Sequence, residues 1–462
     1  MMSEDVIEKM DKLKVKWVNL QFTDVVGILR QVTVSRRLLT HEAFENGLGK
    51  LDGSSVKGFT GIEESDLNLK PIKETFAVIP WLDGVGRMIC AVYRGDARFP
   101  KDPRYAAEAL DSMLKSNDLK AFVSPELEFF IFDKVTVAID TWKQIVEISS
   151  SEGHWISSAP FNALKEGYYV TYPNDKFEKL KKSIGETLEN FFGIAVEVFH
   201  HEVAGASQHE INFRGGDVTS TADAVQTVKY VVKAIASKEG YIATFMPKPL
   251  YGDNGSGMHV HVSIWRNGEN LFYDPSDEYA GLSQYARYFI GGLIEHGRAL
   301  SAIVSPTVNS YKRLVPGYEA PVYLVWSKAN RSAAIRVPAY HKFNNNSKRI
   351  EYRPPDPTAN PYLALSAIVL AGLDGVKKKI DPGDPVDENV YKMDPRRRKE
   401  LGIKELPRSL DEALDELETD NEWLKPIYSN ELIETYIELK REEVRKLQSY
   451  PSPVEIFTYI NY

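Results

Sequence analysis

SPELEFFIFD, residues 124–133, is the stretch on which the reading of this chain turns. In a strand alternate side chains share a face, so Glu126 and Glu128 point one way and Leu127 the other. The apolar run FFIF follows at once, so the two acids stand in a segment that will be buried. Buried carboxylates need a positive partner, and the strand is expected to form one wall of a charged site.

The same logic recurs outward along the chain. HHEVAGASQHEI (200–211) carries Glu202 and Glu210, GSGMHVHVSI (255–264) carries His259, and RIEYRPPDP (349–357) carries Glu351. In MHVHVSI strict alternation places His259, His261 and Ser263 on one face, with Met258, Val260, Val262 and Ile264 on the other. Carboxylates with one imidazole and no thiolate suit a hard divalent cation such as Mg²⁺ or Mn²⁺, and argue against zinc or iron–sulfur. The glycine-rich loop GDNGSG (252–257) lets backbone approach a ligand closely, yet it lacks the Lys-Ser/Thr of a phosphate-binding P-loop. Arginines then cluster at Arg313, Arg331, Arg336, Arg349 and Arg353, where a planar guanidinium fork suits phosphate and carboxylate alike. Metals beside arginines imply a polyphosphate and an anionic co-substrate.

Composition bounds the rest. A chain of 462 residues, 43% hydrophobic and 26% charged, suits a globular protein of two or more domains. A net charge of −8 argues against nucleic acid as partner, since phosphate backbones call for a basic face. One cysteine, Cys90, excludes an internal disulfide and fits a reducing compartment, so a cytoplasmic location is expected. The N-terminal run MMSEDVIEKMDKLKVKW has no apolar core and does not read as a secretory signal. The apolar stretch Leu363–Leu373 falls short of the ~20 residues of a membrane span and reads as a buried core helix, so no membrane association is expected.

Short alternating runs in the first hundred residues (VKWVNLQF, FAVIPWL, RMICAVY) predict a small strand-rich domain, and RFPKDPR (98–104) marks its end. Beyond it strands alternate irregularly with helices such as YAAEALDSMLK and DAVQTVKYVVKAIASKEG, an α+β pattern. Residues 381–409, with Arg396, Arg397 and Arg398 in a row, predict an exposed connection or short helices. Ser409 with Glu412 has the spacing of a capping box.

These runs, together with LDGSSVKGF (51–59), KPLYGDNGSGMHVHVS (248–263), PTVNSYKRLVPGYEAP (306–321), NRSAAIR (330–336) and RIEYRPPDPTANPYLAL (349–365), stand in an order and spacing that resemble class I glutamine synthetase over nearly the whole chain. The resemblance implies an N-terminal β-grasp domain, set here at 12–98, and a catalytic domain at 104–462 with a curved antiparallel sheet and surrounding helices. It implies two stacked hexameric rings, a dodecamer with active sites between subunits, to which the neighbour contributes Asp52. The implied reaction joins ammonium to L-glutamate, with ATP as co-substrate and two or more Mg²⁺ or Mn²⁺ ions per site.

Carried over residue by residue, Glu128, Glu202 and Glu210 resemble ligands of the metal near glutamate and ammonia, and Glu126, His259 and Glu351 those of the nucleotide-side metal. Arg331 and Arg336 resemble the phosphate contacts, while Glu197, His261 and Ser263 match nucleotide positions. Asn254, Gly255, Arg313 and Arg353 match the glutamate site. Asp52 resembles the base that takes a proton from ammonium, and Glu319 the acid on a flap that closes over the intermediate.

The chain departs from the family pattern at several points. Gly205 and Ser207 stand where Thr and Gly are frequent, and Asn346 replaces a nucleotide-contacting lysine of one subgroup. Tyr391 sits where the adenylylated subgroup carries its modified tyrosine, but KMDPRRR follows it, so this modification is not expected. Gly61 replaces an arginine used for glutamine feedback, so that regulation is not expected either. Two other readings stand beside the first: a ligase of glutamate with a polyamine or alkylamine, and a non-catalytic regulatory relative.

Overall fold

The computed structural model describes residues 3–155, 159–339 and 344–461. Its first sheet is built from β1 (Trp17–Thr23), β2 (Leu29–Ser35), β3 (Leu48–Asp52), β4 (Asp66–Pro71), β5 (Ala77–Val78), β6 (Val85–Arg94) and β7 (Ala97–Arg98). The order is β2-β1-β6-β4-β3, with β5 and β7 on β6. β1 pairs antiparallel with β2 but parallel with β6, the crossover that a β-grasp requires. Leu20, Met88, Cys90 and Val92 point into its core, where burial pushes the Cys90 thiol upward and makes it a small hydrophobe.

The second sheet starts with the long strand β8 (Leu119–Phe132), which contains SPELEFFIF. Following the hairpin β9 (Lys134–Ile139) and β10 (Gln144–Ser149) come β11 (Val196–His201), β12 (Gln208–Phe213), β13 (Ile242–Thr244), β14 (Val260–Arg266), β15 (Glu269–Asn270), β16 (Tyr323–Leu324), β17 (Trp326–Lys328), β18 (Ile335–Val337) and β19 (Ile350–Tyr352). Nine of these strands form one curved sheet in the order β11-β12-β8-β14-β19-β18-β17, with β13 on β8 and β15 on β14. One pair corrects the expectation of an antiparallel sheet: β17 and β18 run parallel.

One face of this sheet is covered by helices. The helix Pro361–Lys378 contains the apolar stretch read as a core helix, and its residues 361–372 are all buried. It crosses the helix Gln284–Glu295 so closely that a Cβ on Gly292 would come within 2.1 Å of the Ala371 carbonyl, and one on Gly375 within 2.3 Å of the Tyr288 carbonyl. Only glycine permits that approach. The two domains are tied by polar contacts at the β1–β2 turn, where Asn360 Nδ2 donates to the carbonyls of Asp24 (3.1 Å) and Val25 (3.2 Å), and Gln226 Nε2 donates to Gly27 O (3.1 Å). Buried backbone carbonyls in a turn need such donors, so the tie fixes the small domain on the large one.

The charged connection forms three short elements, residues 390–392, the helix Pro395–Glu400 and a strand Lys404–Glu405 that pairs with β16. At Ser409 only half of the expected capping box forms. Ser409 Oγ accepts from Glu412 N (3.1 Å), but the Glu412 carboxylate accepts from Arg408 N (2.9 Å) and pairs with Arg298. No helix among the described residues is long and apolar enough to cross a membrane.

Candidate active site

The exposed face of the large sheet is read most simply along its rungs. Cross-strand pairing sets His200 of β11 opposite Glu210 of β12, and Glu210 opposite Glu128 of β8. Further along, Ser124 of β8 faces His261 of β14, His261 faces Glu351 of β19, and Glu351 faces Arg336 of β18. Glu126 lies between the two rungs. Residues far apart in the chain, Ser124 and His261 for one, thus stand side by side, because side chains opposite each other across a sheet are near neighbours. The other face is apolar: Leu127, Val260, Val262 and Ile211 are buried beneath the helices. His209, one residue from Glu210, also points that way and packs on Phe129 and Phe177. Burial holds it well below the ordinary imidazole range, so it is neutral.

Two groups of ligand-type atoms result. Glu126, His259 and Glu351 form one, and His200, Glu202 and Glu210 the other, with the atoms of each within 4.8 Å of one another. Both fit a hard divalent cation, since each offers carboxylate oxygens and one imidazole. Burial raises the Glu202 carboxyl well above its usual range, and the neighbouring Glu128 and Glu210 raise it further. That crowding of acids is what a bound cation would offset. Glu128 lies beside this group, its Oε2 accepting from Gly257 N (2.9 Å) and Gln208 Nε2 (3.0 Å). His200 was not singled out by sequence reasoning, although the HHE run contained it.

At the other end burial would raise Glu126 and Glu351, but bases around them overrule it. His259 Nδ1 lies 3.1 Å and His261 Nε2 2.8 Å from the Glu126 oxygens, and they hold this carboxyl well below the usual range. Arg353, first, then His261 and His259, bring Glu351 down to about 2. Arg353 Nη1 donates to Glu351 Oε1 (2.7 Å), and Arg336 pairs with Oε2.

These groups line a cavity of about 250 Å³ that also includes Asn254, Gly255, Arg313, Arg331, Arg353 and Glu319. Arg313 is buried and donates to the carbonyls of Pro354 (2.8 Å) and Arg353 (3.2 Å). Gly255 packs so tightly that a Cβ would meet Pro247 O at 2.4 Å. A second cavity of about 480 Å³ contains Glu197, His261, Ser263, Asn346 and Arg349, and shares Glu126 and His261 with the first. Tyr168 and Tyr169, stacked at 4.1 Å, also line the first cavity, as do Tyr318 and Gln208. Their motifs gave no charge or spacing signal, and they enter only through folding.

Asp52 does not line either cavity of its own chain. It is exposed at the end of β3, where Ser54 Oγ (2.6 Å) and Ser55 Oγ (2.7 Å) donate to its carboxylate, and these serines hold it below the usual range. Gly205 has a local reason: a Cβ there would lie 2.2 Å from Ala163 O, which leaves no room for Thr.

Family models match the chain in two blocks, a glutamine synthetase β-grasp domain over residues 14–95 and a glutamine synthetase catalytic domain over residues 100–459. A glutamine synthetase of Sulfolobus acidocaldarius is 53% identical over 99% of this chain and 98% of its own length. Those of Thermotoga maritima and Escherichia coli K12 are 43% and 42% identical, each over 99% of both chains. Among solved structures, Plasmodium falciparum glutamine synthetase superposes with a TM-score of 0.89 at 30% identity over 99% of this chain and 98% of that one. The GmaS/ADP complex does so with 0.84 at 29%, covering both chains fully.

A β-grasp domain joined to a curved sheet whose open face carries two carboxylate–imidazole clusters defines a two-domain enzyme of the ligase class. Within that class the chain belongs to the glutamine synthetase family.

Proposed function

We propose that the cleft ligates ammonia to the γ-carboxyl of L-glutamate, with ATP as the activating co-substrate, and that the residues assigned above carry the steps. The observation that supports this most directly is the joining of the two cavities at Glu126 and His261. One offers arginines and carboxylates for an amino acid and a phosphoryl group, and the other offers Glu197, His261 and Ser263 for a nucleotide.

Mg²⁺ or Mn²⁺ held by Glu126, His259 and Glu351 and by Glu202, Glu210 and Glu128 or His200 would supply positive charge against the polyphosphate. The chain's own residues do the rest. A carboxylate is a poor electrophile, so glutamate must first become an acyl phosphate; Arg313 and Arg353 orient it, with Asn254 and Gly255 beside it, while Arg331 and Arg336 offset charge on the transferring phosphoryl group. Ammonium cannot attack while protonated. Asp52, held ionised by its serines and presented by a neighbouring subunit, takes that proton. Glu319 on its turn closes the cleft against water, which would otherwise hydrolyse the acyl phosphate.

An assembly of two hexameric rings agrees with two features. Asp52 lies outside its own chain's cavities, and the hairpin β9–β10 and the C-terminal segment expose large apolar residues, Trp142 at 80% and Phe457 at 87%. Apolar surface of this kind on one chain marks a partner contact. Phosphate release from ATP and glutamate tests the function, with ammonium, methylamine, a polyamine or no amine added. Release that requires ammonium and yields glutamine is expected. Release only with an organic amine would move the assignment to the glutamate–amine ligases, and none with any amine would indicate a regulatory relative. Asp52→Ala is expected to raise the KM for ammonium while nucleotide binding is spared; equal loss of both would remove its role as base.

A further inference from the structure

The turn that carries Glu319 is strained. Glu319 has φ +60 and Gly317 φ +92, and a non-glycine residue in the left-handed region persists only where its surroundings hold it there. Two successive carbonyls on this turn are gripped from outside. Arg353 Nη2 donates to Glu319 O (3.4 Å), a long contact, and the Tyr391 hydroxyl donates to Ala320 O at 2.6 Å. The short hydroxyl bond is the stronger of the two.

Tyr391 is itself fixed by a segment bonded to another part of the cleft. Val390 N donates to Ser332 Oγ (3.1 Å), and Asn330 Nδ2 donates to the carbonyls of Val386 (2.9 Å) and Glu388 (2.9 Å). Asn330 and Ser332 flank Arg331, which lines the cavity. Val390 packs in a small cluster with Val322, Tyr323, Val325 and Ala333, with Tyr391 against its edge. Burial pushes the phenol up to about 12, so it remains protonated and able to donate. Segment 386–393 therefore bridges the turn bearing Glu319 and the loop bearing Arg331.

From this geometry we infer that Tyr391 is a positioning residue, whose hydroxyl locks the Glu319 turn to the Arg331 loop so that the flap acid and the phosphoryl-binding arginine hold one spacing. The inference rests on the roles proposed above for Glu319 and Arg331. Loss of the bond leaves Ala320 O without its donor and lets Glu319 relax toward ordinary backbone angles.

The test is Tyr391→Phe, which keeps the ring and removes one oxygen, assayed beside the unaltered enzyme for phosphate released per glutamine formed. Removing one neutral hydrogen bond shifts a local equilibrium by about 2- to 10-fold, and a rise of that order is expected in the phosphate-to-glutamine ratio and in the KM for ammonium. The KM for ATP should stay unchanged, and deuterium uptake in residues 315–321 should quicken with only the small fall in melting temperature that one lost hydrogen bond implies. Ser332→Ala, which cuts the other end of the bridge, should shift the ratio the same way. An unaltered ratio and unaltered exchange in an active Tyr391→Phe enzyme would overturn the inference alone. A parallel loss of ATP affinity and thermal stability would reduce Tyr391 to a packing role. If the unaltered enzyme makes no glutamine, the proposed function fails and this inference fails with it.

Discussion

At the Glu351 end of the cleft every carboxylate meets a protein cation or imidazole, whereas at the Glu202 end the carboxylates outnumber the bases around them. Glu351 is bracketed by Arg336 and Arg353, and Glu126 by His259 and His261. Glu202 and Glu210 share His200, while Glu128 has His259 and Arg313 near it. Burial is similar at both ends, yet it leaves the first pair ionised and pushes Glu202 and Glu128 upward. The nucleotide side is thus organised before anything binds, while the amine side gains most from an added cation. Linkage between ligand and stability is concentrated there.

The largest effect that could break this contrast is on stability without metal. Glu351→Gln removes the carboxylate charge that the buried Arg336 and Arg353 share, and breaking a buried pair costs about 3–5 kcal/mol. Thermal or urea midpoints in chelator should fall accordingly, and an unchanged midpoint would show that the arginines do not depend on Glu351. Next in size is the response to cation. Mg²⁺ or Mn²⁺ at a hundredfold over its dissociation constant should stabilise the chain by about 2.7 kcal/mol. Most of that gain should vanish in Glu202→Gln, which in chelator should be no less stable than the unaltered chain. If this variant is destabilised as much as Glu351→Gln, the two ends do not differ.

The smallest effect sharpens the contrast with a site that needs no ion. His296 sits between Asp420 (2.7 Å) and Asp374 (2.8 Å), stacked on Trp423. Burial would lower its pKa, but Asp420 and Asp374 raise it. A raised folded pKa contributes stability that is complete below the ordinary imidazole value of about 6.5 and is lost as pH rises through the folded value. The difference in melting temperature between the unaltered chain and His296→Gln should therefore be largest near pH 6 and shrink toward alkaline pH. A difference that grows with pH would show that His296 is held neutral.

Much of this arrangement was legible beforehand. Alternation in SPELEFFIFD and MHVHVSI put Glu126 with Glu128 and His259 with His261, and the helix at 361–378 followed from its unbroken apolar run. The small domain and the α+β pattern were also visible in the periods of their runs. His200 stands two positions before Glu202, so alternation alone would place the two on one face, but the adjacent His201 offers a second imidazole and the fold decides which of them joins the acids. The Ser409 box forms only by half: one Glu412 oxygen accepts from Arg408 N in place of Ser409 N, and the other pairs with Arg298, which lies 114 residues away. Tyr391 gave no sign of its bond, since nothing local specifies a contact with Ala320, 71 residues away.

The sequence by itself determined which side chains share a face, because the covalent repeat of a strand or helix sets that within a few residues. It also determined the chemistry on offer, a set of carboxylates, imidazoles and guanidiniums suited to metal and anion. Tertiary structure alone decided that Glu128 faces Glu210, that Glu351 stands between His261 and Arg336, and that Asp52 lies outside its own chain's cavities. Those placements depend on strand register, and register is set by packing the apolar face of the sheet against distant helices, a balance that no local stretch of residues contains.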